Sequence, residues 1–150
     1  MNLADKAEGL FTEGYNCAQA VFGAIAVELG MDKDTAMKIA SSMGGGMGRM
    51  REVCGACSGL FMGAGLSHGY SDPECGKEKA EHYALIRELA EEFKAEHGSI
   101  ICREILDKQA QVGGTPEART PEYYAKRPCA RVIASACQLI DEMLEEKNHA

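Results

Sequence analysis

The chain has 150 residues, a net charge of −7, no Trp and seven Cys, a length that suits one domain over 1–150 with its own core. The acidic balance argues against nucleic acid, which is held by Lys and Arg neutralising phosphates, and scarce aromatics leave few platforms for base stacking. No apolar run approaches the roughly 20 residues that cross a bilayer. The start, MNLADKAEGLFTEGYN, lacks the basic and apolar blocks of a signal peptide, so a cytoplasmic location is expected.

Val, Ile and Thr are scattered without period-two alternation, so the elements in chain order read as helices. A first helix covers Leu3 to Thr12, broken at Gly14, and Asn16 caps a second through Leu29, ended by Gly30. Asp32 or Asp34 starts a short third helix through Ser42. Gly44, Gly45, Gly46 and Gly48 follow, able to take positive φ angles. Next comes a Gly/Ala-rich helix from about Glu52 to Leu66, apolar on nearly all sides and therefore expected at the centre. After a loop from His68 to Cys75, a long amphipathic helix entered at Asp72-Pro73 carries Leu85, Ile86, Leu89 and Phe93 inward and stops at Gly98. Ser99 can cap a short helix holding Cys102. Asp107 to Thr120 is a polar surface excursion, Glu122 to Ala125 a turn, and Pro128 the first residue of a final helix. The expectation is an all-α compact bundle of about five or six helices around the central Gly/Ala-rich one.

The cysteines carry the chemical signal. Cys17, Cys54, Cys57, Cys75, Cys102, Cys129 and Cys137 are odd in number, so they cannot all pair within the chain. In a reducing compartment such a pattern points to catalysis or metal binding, although a free Cys also packs as a small hydrophobe. Cys54 and Cys57 form a C-x-x-C on one helix face. If Cys54 lies in the first helical turn, unpaired N–H groups and the helix dipole favour its thiolate, with help from Arg51. No strand precedes it, so a thioredoxin-like site fits poorly. Arg103 beside Cys102, and Arg127 and Arg131 beside Cys129, are read mainly as surface residues. The glycine cluster lacks the Gly-Lys-Ser/Thr ending of a P-loop, which leaves a tight turn beside the thiols as its expected role. His68, His82, His97 and His149 are dispersed, and no Cys/His spacing matches a zinc finger.

Asn16-Cys17-Ala18-Gln19-Ala20-Val21, the glycine cluster leading to Cys54-Gly55-Ala56-x-x-Gly59, then Cys102 and Arg127-Pro128-Cys129 together resemble the C_GCAxxG_C_C family. Its redox label rests on four signature cysteines, and the resemblance spans about Tyr15 to Cys137. It implies Cys17, Cys54, Cys102 and Cys129 as the signature thiols. Cys57 falls at a variable position, and Cys75 and Cys137 match none.

The leading expectation is thus a thiol redox protein, compatible with thiol oxidoreductase activity and requiring no cofactor. Cys54 attacks, Cys17, Cys102 or Cys129 resolves the mixed disulfide, and Cys57 competes as a local resolver. A redox protein partner or a small thiol or oxidant would be the other party. The alternative is a metal site in which Cys17, Cys54, Cys102 and Cys129 supply four thiolates to zinc or an iron–sulfur cluster. A third reading is an interaction module whose cysteines pack the core.

Overall fold

The computed structural model describes residues 2–107 and 110–149, without the side chains of 126 and 147–149; part of the Asp107–Thr120 excursion and the His149 side chain therefore lie outside the described residues. The fold is all-α, with helices α1 (Leu3–Thr12), α2 (Cys17–Glu28), α3 (Lys33–Ala40), α4 (Gly55–His68), α5 (Gly76–His97), α6 (Cys102–Leu106), α7 (Pro121–Lys126) and α8 (Cys129–His149). The short helix at Cys102 is present as expected, and the segment around Tyr123, expected as a turn, coils into the further short helix α7.

Local chemistry sets most boundaries. Asn16 accepts a hydrogen bond from the Gln19 N–H at 2.8 Å, and the Gln19 side chain accepts from the Asn16 N–H at 3.1 Å. This capping box satisfies two donors at the head of α2. Asp32 caps α3 through the Thr35 N–H, and Thr120 caps α7 through the Tyr123 N–H. Gly98 ends α5 in a left-handed conformation. Three starts differ from expectation. Helix α4 begins at Gly55, with Cys54 as its N-cap; α5 begins at Gly76 beyond the Asp72-Pro73 pair; and Pro128 lies one residue before α8. Ser99 accepts from the Ile101 N–H rather than capping α6 directly.

Helix α4 is central, packed along α2 and against α5 and α8. Its Ala56, Leu60 and Ala64 join Val21 and Ile25 of α2, Leu89 and Phe93 of α5, and Ile133, Ala136 and Ile140 of α8 in the core. Helix α1 adds Leu3, Ala7 and Phe11. The α4–α2 contact is close because glycines line it at intervals of four. A Cβ on Gly59 would stand 2.9 Å from Val21 Cβ, 3.0 Å from the Phe22 nitrogen and 3.1 Å from the Ala18 oxygen. One on Gly55 would stand 3.0 Å from the Ala18 nitrogen and 3.2 Å from Cys17 Cβ. Omitting these side chains draws the head of α2, and with it Cys17, against the head of α4.

Candidate functional site

Each of the four signature cysteines stands where a helix begins. Cys17, Cys102 and Cys129 are the first residues of α2, α6 and α8, and Cys54 is the N-cap of α4. All four line one cavity of about 330 Å³.

Two pieces of backbone deliver the middle pair. Val53 and Ile101 form an isolated antiparallel bridge, flanked by hydrogen bonds from the Cys54 N–H to the Ile100 carbonyl at 2.7 Å and from the Cys102 N–H to the Glu52 carbonyl at 2.6 Å. The bridge sets Cys54 and Cys102 at the same end of the bundle. Ahead of it, the chain turns back through Gly45, Gly46, Met47, Gly48, Arg49 and Arg51, all at positive φ. Gly46 is required there: a Cβ would meet Cys102 Cβ at 2.7 Å and the Arg51 Cα at 2.8 Å. Met47, Arg49 and Arg51 have side chains in a conformation costing roughly 1–2 kcal/mol each, a strain concentrated beside the thiols. The expected tight turn is present, and it also aims two arginines.

The thiols differ in their surroundings. Cys54 is 5 % and Cys102 8 % exposed, whereas Cys17 and Cys129 are half-buried. Burial raises the Cys54 thiol to about 12, outweighing the N–H groups of Cys57 and Ala56 that point at its sulfur and stabilise the thiolate. The expected lowering at Cys54 is therefore corrected: the helix start is present, but desolvation dominates. Arg51 does not assist Cys54; it donates through Nη1 to Cys102 Sγ at 3.6 Å. Cys129 behaves in the opposite way. A hydrogen bond from the Cys17 thiol, followed by the charges of Arg127, Arg119 and Arg51, holds it below the ordinary thiol value despite its burial. Cys17, the donor, is correspondingly raised by that bond, by burial and by the neighbouring sulfurs. Cys129 thus has the strongest thiolate character of the cavity's shifted cysteines.

The remaining cysteines lie elsewhere. Cys57 is fully buried in the main core, with its thiol pushed up by desolvation and by Cys54, and it does not line the cavity. Cys137 is likewise a core residue, raised by burial to about 12. Cys75 precedes α5, beside Asp72.

Arginines surround the cavity. Arg49, Arg51, Arg119 and Arg127 line it, with Glu117 as the one acidic residue among the lining set. Arg127 pairs with Glu117 and lies over the Tyr123 ring, 5.1 Å from its centroid. Arg119 donates to the carbonyls of Phe11 at 3.2 Å and Tyr15 at 3.1 Å and lies 4.6 Å from the Phe11 ring centroid. Arg51 and the side chain of Arg127 are buried, unlike surface arginines, whereas Arg103 and Arg131 are exposed as expected. Arg119 and Glu117 were hidden to sequence reasoning: they lie in the excursion read as surface, and no spacing connects them to a cysteine.

Among the described residues, no group of three or more Cys, His, Asp or Glu side chains is arranged to hold a metal ion.

The fold and the cavity define a class: an all-α protein that gathers four helix-start thiols under arginine cover. The chain belongs to the C_GCAxxG_C_C family, described as "Putative redox-active protein (C_GCAxxG_C_C)", which it matches over residues 15–143. No curated protein and no solved structure matches the chain. No helix among the described residues is long and apolar enough to cross a membrane.

Proposed function

We propose that the protein performs thiol–disulfide exchange through Cys129 and Cys17, with Cys54 and Cys102 as further thiols of the same cavity. The observation that carries this reading is one cavity lined by all four signature cysteines together with Arg49, Arg51, Arg119 and Arg127, and the lowered Cys129 thiol beside the raised Cys17 thiol supports it. A thiolate, not a thiol, is the nucleophile, and adjacent arginines and a helix start are the surroundings that favour one. Cys129 has both, and it is more accessible than Cys54 or Cys102. Cys17 lines the same cavity and is assigned the resolving role for a mixed disulfide on Cys129. Relative to the sequence reading, the attacking role moves from Cys54 to Cys129, and Cys57 loses its role as a local resolver.

The test is alkylation of the reduced protein with limiting iodoacetamide from pH 6 to 9, followed by peptide mapping. Cys129 is modified first. Its apparent midpoint rises in Cys17→Ala, which removes the donor, and rises less in Cys17→Ser, which keeps a hydroxyl donor. Preferential alkylation of Cys54 or Cys57 would return the attacking role to the C-x-x-C. Stoichiometric zinc or iron in anaerobically purified protein, with all four signature thiols protected from alkylation, would replace exchange by the metal reading.

A further inference from the structure

Among the described residues, the cavity lining carries an excess of positive charge. Four guanidinium groups line it against one carboxylate, in a chain whose net charge is −7. Most of the donors of Arg49, Arg51 and Arg119 that make hydrogen bonds use backbone carbonyls: Arg49 Nε donates to Gly113 at 2.9 Å, Arg51 Nε to Gln111 at 2.9 Å, and Arg119 to Phe11 and Tyr15. A carbonyl satisfies an N–H but cancels no charge. Among the described residues, the single carboxylate of Glu117 pairs with both Arg49 and Arg127. Burying unbalanced charge is costly, and a thiolate at Cys129 offsets only one unit of the excess. Two of the arginines, Arg49 and Arg51, are also held at positive φ, 61° and 60°, so their placement is maintained against backbone strain.

We propose that the cavity binds a small dianionic disulfide, its carboxylates attracted by the surplus guanidinium charge while its S–S bond meets Cys129. The proposal rests on the exchange reading above and adds the substrate class. Its volume of about 330 Å³ is at the small end for ligand pockets, roughly 300–1,000 Å³, and suits a small molecule. Arginine is the side chain whose planar donor fork matches a carboxylate.

The half-reaction balances. The Cys129 thiolate attacks one sulfur of R–S–S–R, forming Cys129–S–S–R and expelling RS⁻. Cys17 gives up its proton to that leaving thiolate, and the resulting Cys17 thiolate attacks the Cys129 sulfur, expelling the second RS⁻. The two cysteines are oxidised to one disulfide while the substrate is reduced to RSH and RS⁻. A dithiol reductant would return the protein to its starting state.

The experiment compares three small disulfides with the reduced protein in single turnover: dianionic dithiodiglycolate, neutral bis(2-hydroxyethyl) disulfide and dicationic cystamine. Each rate of Cys17–Cys129 disulfide formation is divided by that probe's rate with 2-mercaptoethanol, which removes intrinsic reactivity. The dianion is expected to be faster than the neutral probe by roughly ten-fold or more, the low end of what a charged cleft achieves, and the cation slowest. High salt compresses the ratio in the unmodified protein. Arg127→Gln lowers the dianion-to-neutral ratio several-fold, and Arg127→Lys largely retains it. Because both probes meet the same thiolate, the ratio is insensitive to any change in Cys129 itself. A cation-first order, which the chain's overall −7 would produce, or equal normalised rates independent of salt would overturn the substrate class. If no probe forms a disulfide at Cys129, the exchange reading itself fails.

Discussion

Replacing Gly59 with Ala tests whether close approach of α2 and α4 is what assembles the site. The added methyl would stand 2.9 Å from Val21 Cβ, 3.0 Å from the Phe22 nitrogen and 3.1 Å from the Ala18 oxygen. Two of these are backbone atoms and the third is a Cβ, so no rotamer change relieves the contact and α2 must shift. Overpacking of this kind costs about 1–3 kcal/mol, against about 1 kcal/mol gained from helix propensity. The expected net loss is about 0–2 kcal/mol, or a fall in Tm of up to roughly 8 °C for a chain of this size. Gly65→Ala is the control on the same helix: its Cβ would have only His82 Nε2, at 4.0 Å, so it gains propensity and raises Tm by roughly 2–4 °C. Thermal unfolding followed by circular dichroism reads both. Because α2 begins at Cys17, Gly59→Ala also slows Cys17–Cys129 disulfide formation, which Gly65→Ala leaves unchanged. A Gly59→Ala protein as stable as Gly65→Ala would refute the packing argument.

Two further outcomes follow from the burial and backbone of the site. Cys54 and Cys137 keep their protons up to about pH 12 when folded, against 9 in an ordinary thiol. Above pH 9 the unfolded chain therefore binds fewer protons than the native one, and stability falls with rising pH, by about 2.7 kcal/mol per unit from these two thiols until pH 12 is approached. Urea unfolding at pH 8, 9.5 and 10.5 measures the slope, to which the raised Cys17 and Cys57 thiols also contribute, and Cys137→Ala should reduce it by about 1.4 kcal/mol per unit; a flat profile would show that these thiols are not buried as described. Met47, at φ 68°, gains from replacement by Gly: relief of left-handed strain exceeds the added entropy of the unfolded chain by about 0.5–1 kcal/mol. An increased urea midpoint checks this, and a decrease would mean that the Met47 side chain contributes more than its backbone strain costs.

Helices were legible in the sequence wherever their signals are local. Asn16 with Gln19 three residues on, Asp32, Gly98 and the apolar stripes of α5 and α8 each act within a few residues, and the structure keeps them. The Gly/Ala-rich segment was legible as central because it has no polar face to give to solvent. The start of α4 was misplaced by about three residues, since Val53 is taken up in an isolated bridge whose partner, Ile101, lies 48 residues further along the chain.

The four signature thiols were identifiable from the sequence, but their ranking was not. Sequence position makes Cys54 a helix-start thiol, and it is one; whether such a thiol ionises depends on the competition between donated N–H bonds and desolvation, and desolvation is set by what packs over it. Cys129 depends on the reverse balance, struck by Cys17 from 112 positions earlier in the chain and by Arg51, Arg119 and Arg127 from three separate segments. The chain's own pattern therefore settles the helices, the central glycine-rich element and the set of signature cysteines, because those follow from neighbours in sequence. Which thiol carries the charge, and the arginine surplus in an acidic chain, arise only when distant segments share one cavity, because electrostatics and burial act through space.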